Sequence, residues 1–228
     1  MGPRSQVVPG LARGQQLAQD EAVSDFHVLI VCTANLCRSP MAEHLLRKQV
    51  EGAGLGWTIS SAGTRARGGR PMHEHAAAAL KSHRVETSGW RSQRLGAALI
   101  SQSGLILTAT AAHRSAVVSL EPRAVGRTFP LLQFARLVDA ARASANLARS
   151  SPAESGPQLV AAAIASRGRL QPVEDGADDV DDPIGRSHAF FDRCGAVLFS
   201  AVERILPLAA SAAAQPHAGG AGAGQRPA

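Results

Sequence analysis

The sequence contains no tyrosine, and aromatic residues make up only 4% of it. Proteins that bind single-stranded nucleic acid use aromatic side chains to stack the bases, and such surfaces are scarce here. The 24 lysine and arginine residues, almost all of them arginine, outnumber the 18 acidic residues, but they are scattered along the chain. We therefore expect no nucleic-acid partner and interpret the basic balance as favouring anionic substrates.

Cysteine is also rare, with three residues in a chain of 228. Three cysteines cannot build a disulfide framework, which indicates a reducing compartment. The first residues lack the apolar segment of a signal peptide, and no run of about 18 uncharged apolar residues could cross a membrane. These absences predict a cytoplasmic protein without a membrane partner.

The hydrophobic content of 45% is enough to fill the core of one sizeable domain. Residues 1–24 are rich in glycine, glutamine, proline and arginine without periodic apolar spacing, and residues 209–228 are of low complexity. We predict that both segments are disordered. The domain between them, 25–208, is expected to carry a longer loop or insertion at about 142–179.

Short apolar segments alternate with segments of helical spacing along this domain. The apolar segments predict strands at 26–31, 57–60, 105–108 and 127–129. The helical spacing predicts helices at 40–53, 72–82, 92–101, 111–120, 131–145 and 188–206, with a possible short helix at 159–166. This order favours an α/β fold in which helices cover both faces of a small, about four-stranded parallel sheet, a three-layer αβα sandwich.

The stretch HVLIVCTANLCRSPMAE at 27–43 passes from the first strand through a loop into a helix. Ser39 suits the N-cap position and Pro40 the first helical position. Backbone amides at a helix start have no intrahelical partner and favour an anion. We therefore predict that one phosphate-sized ligand binds the loop residues Thr33, Ala34, Asn35, Leu36, Cys37 and Arg38, with Arg38 adding a bidentate fork.

Cys32 opens this loop, directly after the strand. A helix N-terminus and a neighbouring guanidinium favour the thiolate form of a cysteine, which is the nucleophilic form. A cysteine that ends an apolar strand is otherwise a small buried hydrophobic residue. The strand before it, the N-cap and proline after it, and Asn35 in the loop together favour the functional interpretation.

The segment VCTANLCRSPMAE resembles the signature loop of the low-molecular-weight protein tyrosine phosphatases. SAGT at 61–64, the pair His113-Arg114 and the pair Asp182-Pro183 follow in the order usual for that family. The resemblance covers roughly residues 26–206, so the domain at 25–208 would be a low-molecular-weight phosphatase domain.

The resemblance implies a role for each matching residue. Cys32 would attack phosphorus to form a phosphocysteine, and Arg38 and the loop amides would stabilise the equatorial oxygens. Asp182 would protonate the leaving oxygen and then activate water. Ser39 would donate a hydrogen bond to the Cys32 sulfur, and Asn35 would hold the loop in a left-handed turn. The resemblance implies no cofactor and no metal.

Several alternatives stay open at this point. Cys37 is either a reversible disulfide partner of Cys32 under oxidation or a buried structural thiol. The substrate is a phosphorylated protein, carrying phosphotyrosine, or a small phosphorylated molecule, because arginines and Ile184 stand where tyrosine-specific members carry aromatic residues. An arsenate reductase that uses a thiol cofactor and a non-catalytic phosphate-binding regulatory protein are the alternatives to a phosphatase. Having Cys32, Arg38 and Asp182 together favours the phosphatase.

Overall fold

The computed structural model describes residues 26–144 and 152–213. Four strands form one sheet in the order β2-β1-β3-β4, and all three pairings are parallel. The strands are β1 His27–Cys32, β2 Thr58–Gly63, β3 Leu105–Thr108 and β4 Thr128–Pro130. The predicted fold class is confirmed.

Helices cover both faces of this sheet. They are α1 Arg38–Gly52, α2 Glu74–Ser82, α3 Ala97–Gln102, α4 Ala111–Leu120, α5 Leu131–Arg142, α6 Pro152–Ala165 and α7 His188–Ala213. Short 3-10 helices occupy Pro122–Arg127 and Arg167–Arg169. Within the described ranges, no helix is long and apolar enough to cross a membrane.

The side chains of β1 alternate between two hydrophobic cores. Val28 and Ile30 pack into the larger core, which also contains residues of α1, α5 and α7. Leu29 and Val31 pack on the other face, with residues of α3 and α4. Because both faces of β1 are buried, its sequence is an uninterrupted apolar run, which is typical of a parallel strand covered on both sides.

The described part of the segment at 142–179 is more helical than expected. Helix α6 begins at Pro152, before the predicted start at 159, and Leu159, Val160 and Ala163 on one of its faces are buried in the larger core. Trp57 anchors its first turn by donating from Nε1 to Ser155 Oγ at 3.2 Å.

The last helix is longer than its apolar spacing predicted. Helix α7 runs to Ala213, so residues 209–213 of the predicted disordered tail are helical. The rest of that tail and the predicted extension at 1–24 lie outside the described residues.

Candidate functional site

The loop that begins at Cys32 lies at the carboxyl end of β1, between β2 and β3. Backbone hydrogen bonds hold it from the β2 side, since Thr64 N–H donates to Cys32 O at 2.9 Å and Arg65 N–H donates to Thr33 O at 2.8 Å. His73 N–H, just before α2, donates to Leu36 O at 2.9 Å. The loop is therefore fixed by its neighbours at both ends. Ligands of open parallel sheets bind at this edge.

Ser39 does not cap α1, which corrects the sequence prediction. The helix begins at Arg38, its N-cap is Cys37, and in the described structure no side chain caps it. Ser39 Oγ instead lies 2.9 Å from Cys32 Sγ and accepts a hydrogen bond from Asn35 Nδ2 at 2.9 Å. Because Asn35 is the donor in that second contact, the Ser39 hydroxyl can direct its own proton to the Cys32 sulfur.

Asn35 shapes the loop from within. Its φ angle of 54° is left-handed, a conformation that asparagine tolerates better than most residues. The side chain is fully buried: Nδ2 also donates to Ser61 Oγ at 2.8 Å, and Oδ1 accepts from the amide of Gln93 at 2.8 Å. The turn therefore depends on Ser61 within β2 and on Gln93, which precedes α3.

A buried carboxylate, Glu43 on α1, completes this network. It accepts hydrogen bonds from Ser61 Oγ, from Trp90 Nε1 at 3.0 Å and from Arg47 Nη2. A buried charge requires such partners, because it loses its hydration on folding. Sequence reasoning did not identify Glu43 or Gln93. In the sequence, the one indication of this network was Ser61, the serine of the SAGT motif.

The glycine of the same motif, Gly63, lies directly against the loop. A Cβ atom at this position would be 2.6 Å from Thr33 O and 2.8 Å from Asn35 N. Only a residue without a side chain allows so close a backbone approach. Gly63 is therefore a structural support of the loop.

Arg38 connects the loop to a segment far along the chain. Its side chain is buried, and Nη1 donates to Val180 O at 3.0 Å. Nη2 lies 2.6 Å from Asp182 Oδ2 and 3.4 Å from Thr33 Oγ1. The structure thus brings together Cys32, Arg38 and Asp182, the three residues that the sequence suggested for catalysis.

The segment that carries Asp182 is anchored at the end of β3. Val180 N–H donates to Ala109 O at 2.7 Å, and Asp179 Oδ1 accepts from the amide of Ala111 at 2.7 Å. Asp178 pairs with Arg136 of α5, with 3.0 Å between Oδ1 and Nε. These contacts place the Asp182 carboxylate beside the loop although the intervening segment is long.

His113, on α4, supports the loop from the β3 side. Its Nε2 lies 2.8 Å from Thr33 Oγ1, and its Nδ1 lies 2.6 Å from Thr110 Oγ1. Burial, and next the charge of Arg38, lower the pKa of His113 to about 4, so the ring is neutral at physiological pH. The pair His113-Arg114 marks the family resemblance in the sequence, but the pattern indicates no role for His113.

All three cysteines lie in the described part of the chain and are free, buried thiols. Burial, and next the neighbouring Cys32, raise the pKa of Cys37. Burial raises the pKa of Cys194 to about 12, and its Sγ lies 4.0 Å from Asp181 O. Cys37 and Cys194 are therefore protonated at physiological pH.

The arrangement is suited to transfer of a tetrahedral oxyanion. A thiol sulfur with a hydroxyl donor lies at one end of a loop whose amides begin a helix, and a buried guanidinium lies at the other. A half-exposed carboxylate lies within reach of the same guanidinium. Among residues 26–144 and 152–213, no group of three or more histidine, cysteine or acidic side chains could hold a metal ion.

Comparison with known proteins gives consistent matches. The model of the family "Low molecular weight phosphotyrosine protein phosphatase" matches residues 27–155. A probable low molecular weight protein-tyrosine-phosphatase EpsP of Ralstonia nicotianae is 36% identical over 104 residues, which are 46% of this chain and 69% of that protein. A protein-arginine-phosphatase of Geobacillus stearothermophilus is 37% identical over 110 residues, 48% of this chain and 71% of that protein.

Solved structures agree with these matches. The YwlE arginine phosphatase of Geobacillus stearothermophilus superposes with a TM-score of 0.58 at 27% identity, covering 80% of this chain and 91% of that one. A low molecular weight protein tyrosine phosphatase of T. tengcongensis gives a TM-score of 0.60 over 80% of this chain and 98% of that one. Its identity of 23% shows the shared fold alone.

Proposed function

We propose that this chain, which belongs to the low molecular weight phosphotyrosine protein phosphatase family and is a cysteine-dependent phosphatase, hydrolyses phosphotyrosine in proteins. The observation that carries the proposal is the convergence of Cys32, Arg38 and Asp182 at one loop, with Ser39 Oγ 2.9 Å from the nucleophilic sulfur. Binding of phosphate alone would need neither a nucleophile nor an acid.

In the first step, the Cys32 thiolate attacks phosphorus and the bond from phosphorus to the phenolic oxygen breaks. The loop amides and the Arg38 guanidinium stabilise the negative charge on the equatorial oxygens. Asp182 in its protonated form gives its proton to the departing oxygen, so that tyrosine leaves as a neutral phenol.

In the second step, water attacks the phosphocysteine. The Asp182 carboxylate takes a proton from that water, the bond from phosphorus to sulfur breaks, and inorganic phosphate is released. The Ser39 hydroxyl donates a hydrogen bond to the departing sulfur and thereby stabilises the returning thiolate. No step requires a cofactor.

Hydrolysis of p-nitrophenyl phosphate by wild type, Cys32→Ser and Cys194→Ser proteins tests this proposal. We expect turnover by the wild type, no turnover by Cys32→Ser, and near wild-type turnover by Cys194→Ser, the same substitution at another buried thiol. Turnover of Cys32→Ser at the wild-type rate would refute the mechanism. Mass spectrometry of the acid-quenched wild type should show one phosphoryl group on the peptide containing Cys32.

Phosphoarginine in proteins is a second candidate substrate. It is favoured by the relative named a protein-arginine-phosphatase, which is 37% identical to this chain, and by the similar arginine phosphatase structure. The Cys32 thiolate of the same loop would attack phosphorus, and Asp182 would protonate the leaving nitrogen of arginine in place of the phenolic oxygen of tyrosine. Paired peptides that differ only in phosphotyrosine or phosphoarginine at one position separate the two substrates by kcat/KM.

Arsenate reduction on the same scaffold is the alternative reaction, because arsenate would fit the same loop. The proximity of Asp182 and Arg38 supports the phosphatase, since reduction of arsenate needs no general acid. Arsenate and p-nitrophenyl phosphate should be assayed side by side with a small thiol present. Reduction of arsenate without hydrolysis of aryl phosphate would refute the proposed phosphatase and favour an arsenate reductase.

We also propose a cytoplasmic location, which the three free thiols support. Fractionation of cells that produce the tagged protein tests this, with recovery in the soluble cytoplasmic fraction as the expected result.

A further inference from the structure

Five arginines project from the two segments that follow β2 and precede α3. We call Arg65, Arg67, Arg70, Arg91 and Arg94 the arginine rim, and all five are exposed. The first three lie directly after the SAGT motif in the sequence. Arg91 and Arg94 lie beside the other three because the chain returns to the segment after β2 once α2 has ended.

Backbone hydrogen bonds hold the two segments together as one unit. Gly69 N–H donates to Ser92 O and Ser92 N–H donates to Arg70 O, each at 2.8 Å, while Gly63 and Gln93 are joined by a bond of 3.0 Å. The unit is tied to the loop through the bond of 2.8 Å from Arg65 N–H to Thr33 O. The rim is thus fixed beside the mouth of the site.

The positive charge of the rim has no acidic partner in the part of the chain that the structure describes. Residues 63–73 and 88–95 contain no aspartate or glutamate. Over the ranges 26–144 and 152–213, none of the five guanidinium groups forms an ion pair. The nearby Glu43 is buried and already paired with Arg47. Such a surface attracts an anionic partner.

The opposite side of the mouth carries three aspartates and none of the rim arginines. Asp179, Asp181 and Asp182 lie on the segment that is bonded to the residues after β3. Strands β2 and β3 are the two neighbours of β1 in the sheet, on opposite sides of it. The loop at the end of β1 therefore lies between the arginine rim on the β2 side and a segment on the β3 side that carries three aspartates, one of which, Asp182, is paired with Arg38.

From this geometry we propose that the substrate is a phosphorylated protein segment with acidic residues on one side of the phosphorylated residue, and that the arginine rim binds those residues. This inference rests on the proposed function and names the substrate class more closely. Acidic residues on the other side of the phosphorylated residue would lie beside the aspartates of residues 179–182 and would meet no guanidinium of the rim there. A segment with acidic residues on one side alone therefore matches the mouth best.

The expected preference is moderate because the rim is exposed to solvent. An exposed ion pair changes an equilibrium by up to about 5-fold, so two such pairs give roughly 5- to 20-fold tighter binding at low ionic strength. Salt should weaken the preference, since exposed charges are screened over about 10 Å at 0.1 M. Strong salt dependence also distinguishes the rim from an apolar docking surface.

Binding of phosphotyrosine peptides to the Cys32→Ser protein, measured by calorimetry, tests the inference. Four peptides share a central phosphotyrosine and carry two glutamates before it, after it, on both sides or on neither. We expect one of the single-sided peptides to bind about 5- to 20-fold more tightly than the neutral peptide. The peptide with glutamates on both sides should bind less tightly than the preferred single-sided peptide.

Single substitutions in the rim provide the decisive comparison. Arg67→Gln and Arg94→Gln should each reduce the preference for the acidic peptide about 2- to 5-fold without changing the affinity for the neutral peptide. Arg123→Gln, which removes an equally exposed arginine of the 3-10 helix before β4, should leave the preference unchanged. Equal binding of all four peptides, or a preference that survives both rim substitutions, would overturn the inference.

Hydrolysis of p-nitrophenyl phosphate by otherwise wild-type proteins carrying the rim substitutions separates this inference from the proposed function. The small substrate has no flanking residues, so Arg67→Gln and Arg94→Gln should hydrolyse it at the wild-type rate. If the wild type fails to hydrolyse it while acidic peptides still bind preferentially, the proposed function is wrong and the binding surface stands. If hydrolysis is normal and the preference is absent, the proposed function stands and the inference about the arginine rim is wrong.

Discussion

Arg38 and Asp182 are 144 residues apart in the sequence, and 2.6 Å separates Nη2 of the arginine from Oδ2 of the aspartate. The Arg38 side chain is 6% exposed and that of Asp182 is 46% exposed, so the aspartate is the freer member of the pair. A phosphoryl group that binds Arg38 competes with the carboxylate for the same nitrogen. Displacement by the substrate would leave Asp182 at the mouth, where the leaving oxygen lies.

Replacing Asp182 by alanine should therefore have opposite effects on binding and turnover. Inhibition by inorganic phosphate should strengthen about 2- to 5-fold, because the competing ion pair is lost. Turnover should fall about 100-fold or more, most severely for substrates with poor leaving groups. Steady-state kinetics with a series of substituted phenyl phosphates measures both effects. Asp182→Asn is the isosteric control, and an equal loss for all leaving groups would remove Asp182 from the acid role.

Gly63→Ala should disrupt the loop from outside. The added Cβ would lie 2.6 Å from Thr33 O, so the backbone of the loop must move. We expect a loss of about 1 to 3 kcal/mol in the free energy of unfolding, together with a clear fall in kcat/KM. Urea unfolding and the aryl phosphate assay measure the two losses.

Gly126→Ala is the matched control, because a Cβ there would meet nothing within 4 Å. Its stability and activity should stay near the wild-type values. A Gly63→Ala protein as active and stable as wild type would show that the loop does not need this close contact.

The neutral state of His113 makes the fold sensitive to acid. In the unfolded chain the histidine takes up its proton near pH 6.5, whereas in the folded protein burial and Arg38 lower its pKa to about 4. Its contribution to stability is therefore complete above pH 6.5 and is lost as the pH falls from 6.5 to 4, by roughly 2 to 3 kcal/mol. Burial also lowers the pKa of His27 and His44, which adds to the loss in the same direction.

Urea unfolding at a series of pH values between 7.5 and 4.5 measures this dependence. His113→Gln keeps a polar side chain without a titrating ring, so its stability should fall less steeply over that range. His188→Gln, in which the replaced side chain is 53% exposed, should retain the wild-type slope. The same slope in all three proteins would contradict the assignment to His113.

Cys37 is expected to protect Cys32 during oxidation. Peroxide converts a reactive thiolate to a sulfenic acid, which a neighbouring thiol then condenses to a disulfide with release of water. Burial keeps Cys37 in its thiol form. Activity of the peroxide-treated wild type should return with a dithiol, whereas activity of Cys37→Ser should be lost irreversibly. Equal recovery of both proteins would identify Cys37 as a structural thiol.

The sequence by itself determined which loop we propose to bind phosphate, because the residues involved are close together in the chain. The proposed nucleophile, the loop amides and the arginine lie within Cys32 to Arg38, so one turn between a strand and a helix brings them together. The buried strands could also be predicted from the sequence, because a strand covered on both faces needs an uninterrupted apolar run. The start of α6 and the end of α7 were not predicted correctly from the sequence.

Only the tertiary structure decided how the loop is supported. Ser39 has the residue type of an N-cap, but contacts with Cys32 and Asn35 take up its hydroxyl. His113 contacts Thr33 through its side chain and Gln93 contacts Asn35 through its backbone amide. Glu43 acts one step further away, by binding Ser61, which contacts Asn35. These groups come from separate elements, and no local sequence pattern encodes such contacts.

Asp182 was predicted from the sequence, but its position beside the loop, like the assembly of the arginine rim, depends on tertiary contacts. The family match in sequence ends at residue 155, and the pairing of Asp182 with Arg38 depends on the anchoring of the segment 178–182 at the end of β3. The rim exists because two segments of the chain return to one side of β1. Long-range contacts of this kind form only when burial of the two cores fixes the order of the strands, which is why folding, and not local sequence, completes the site.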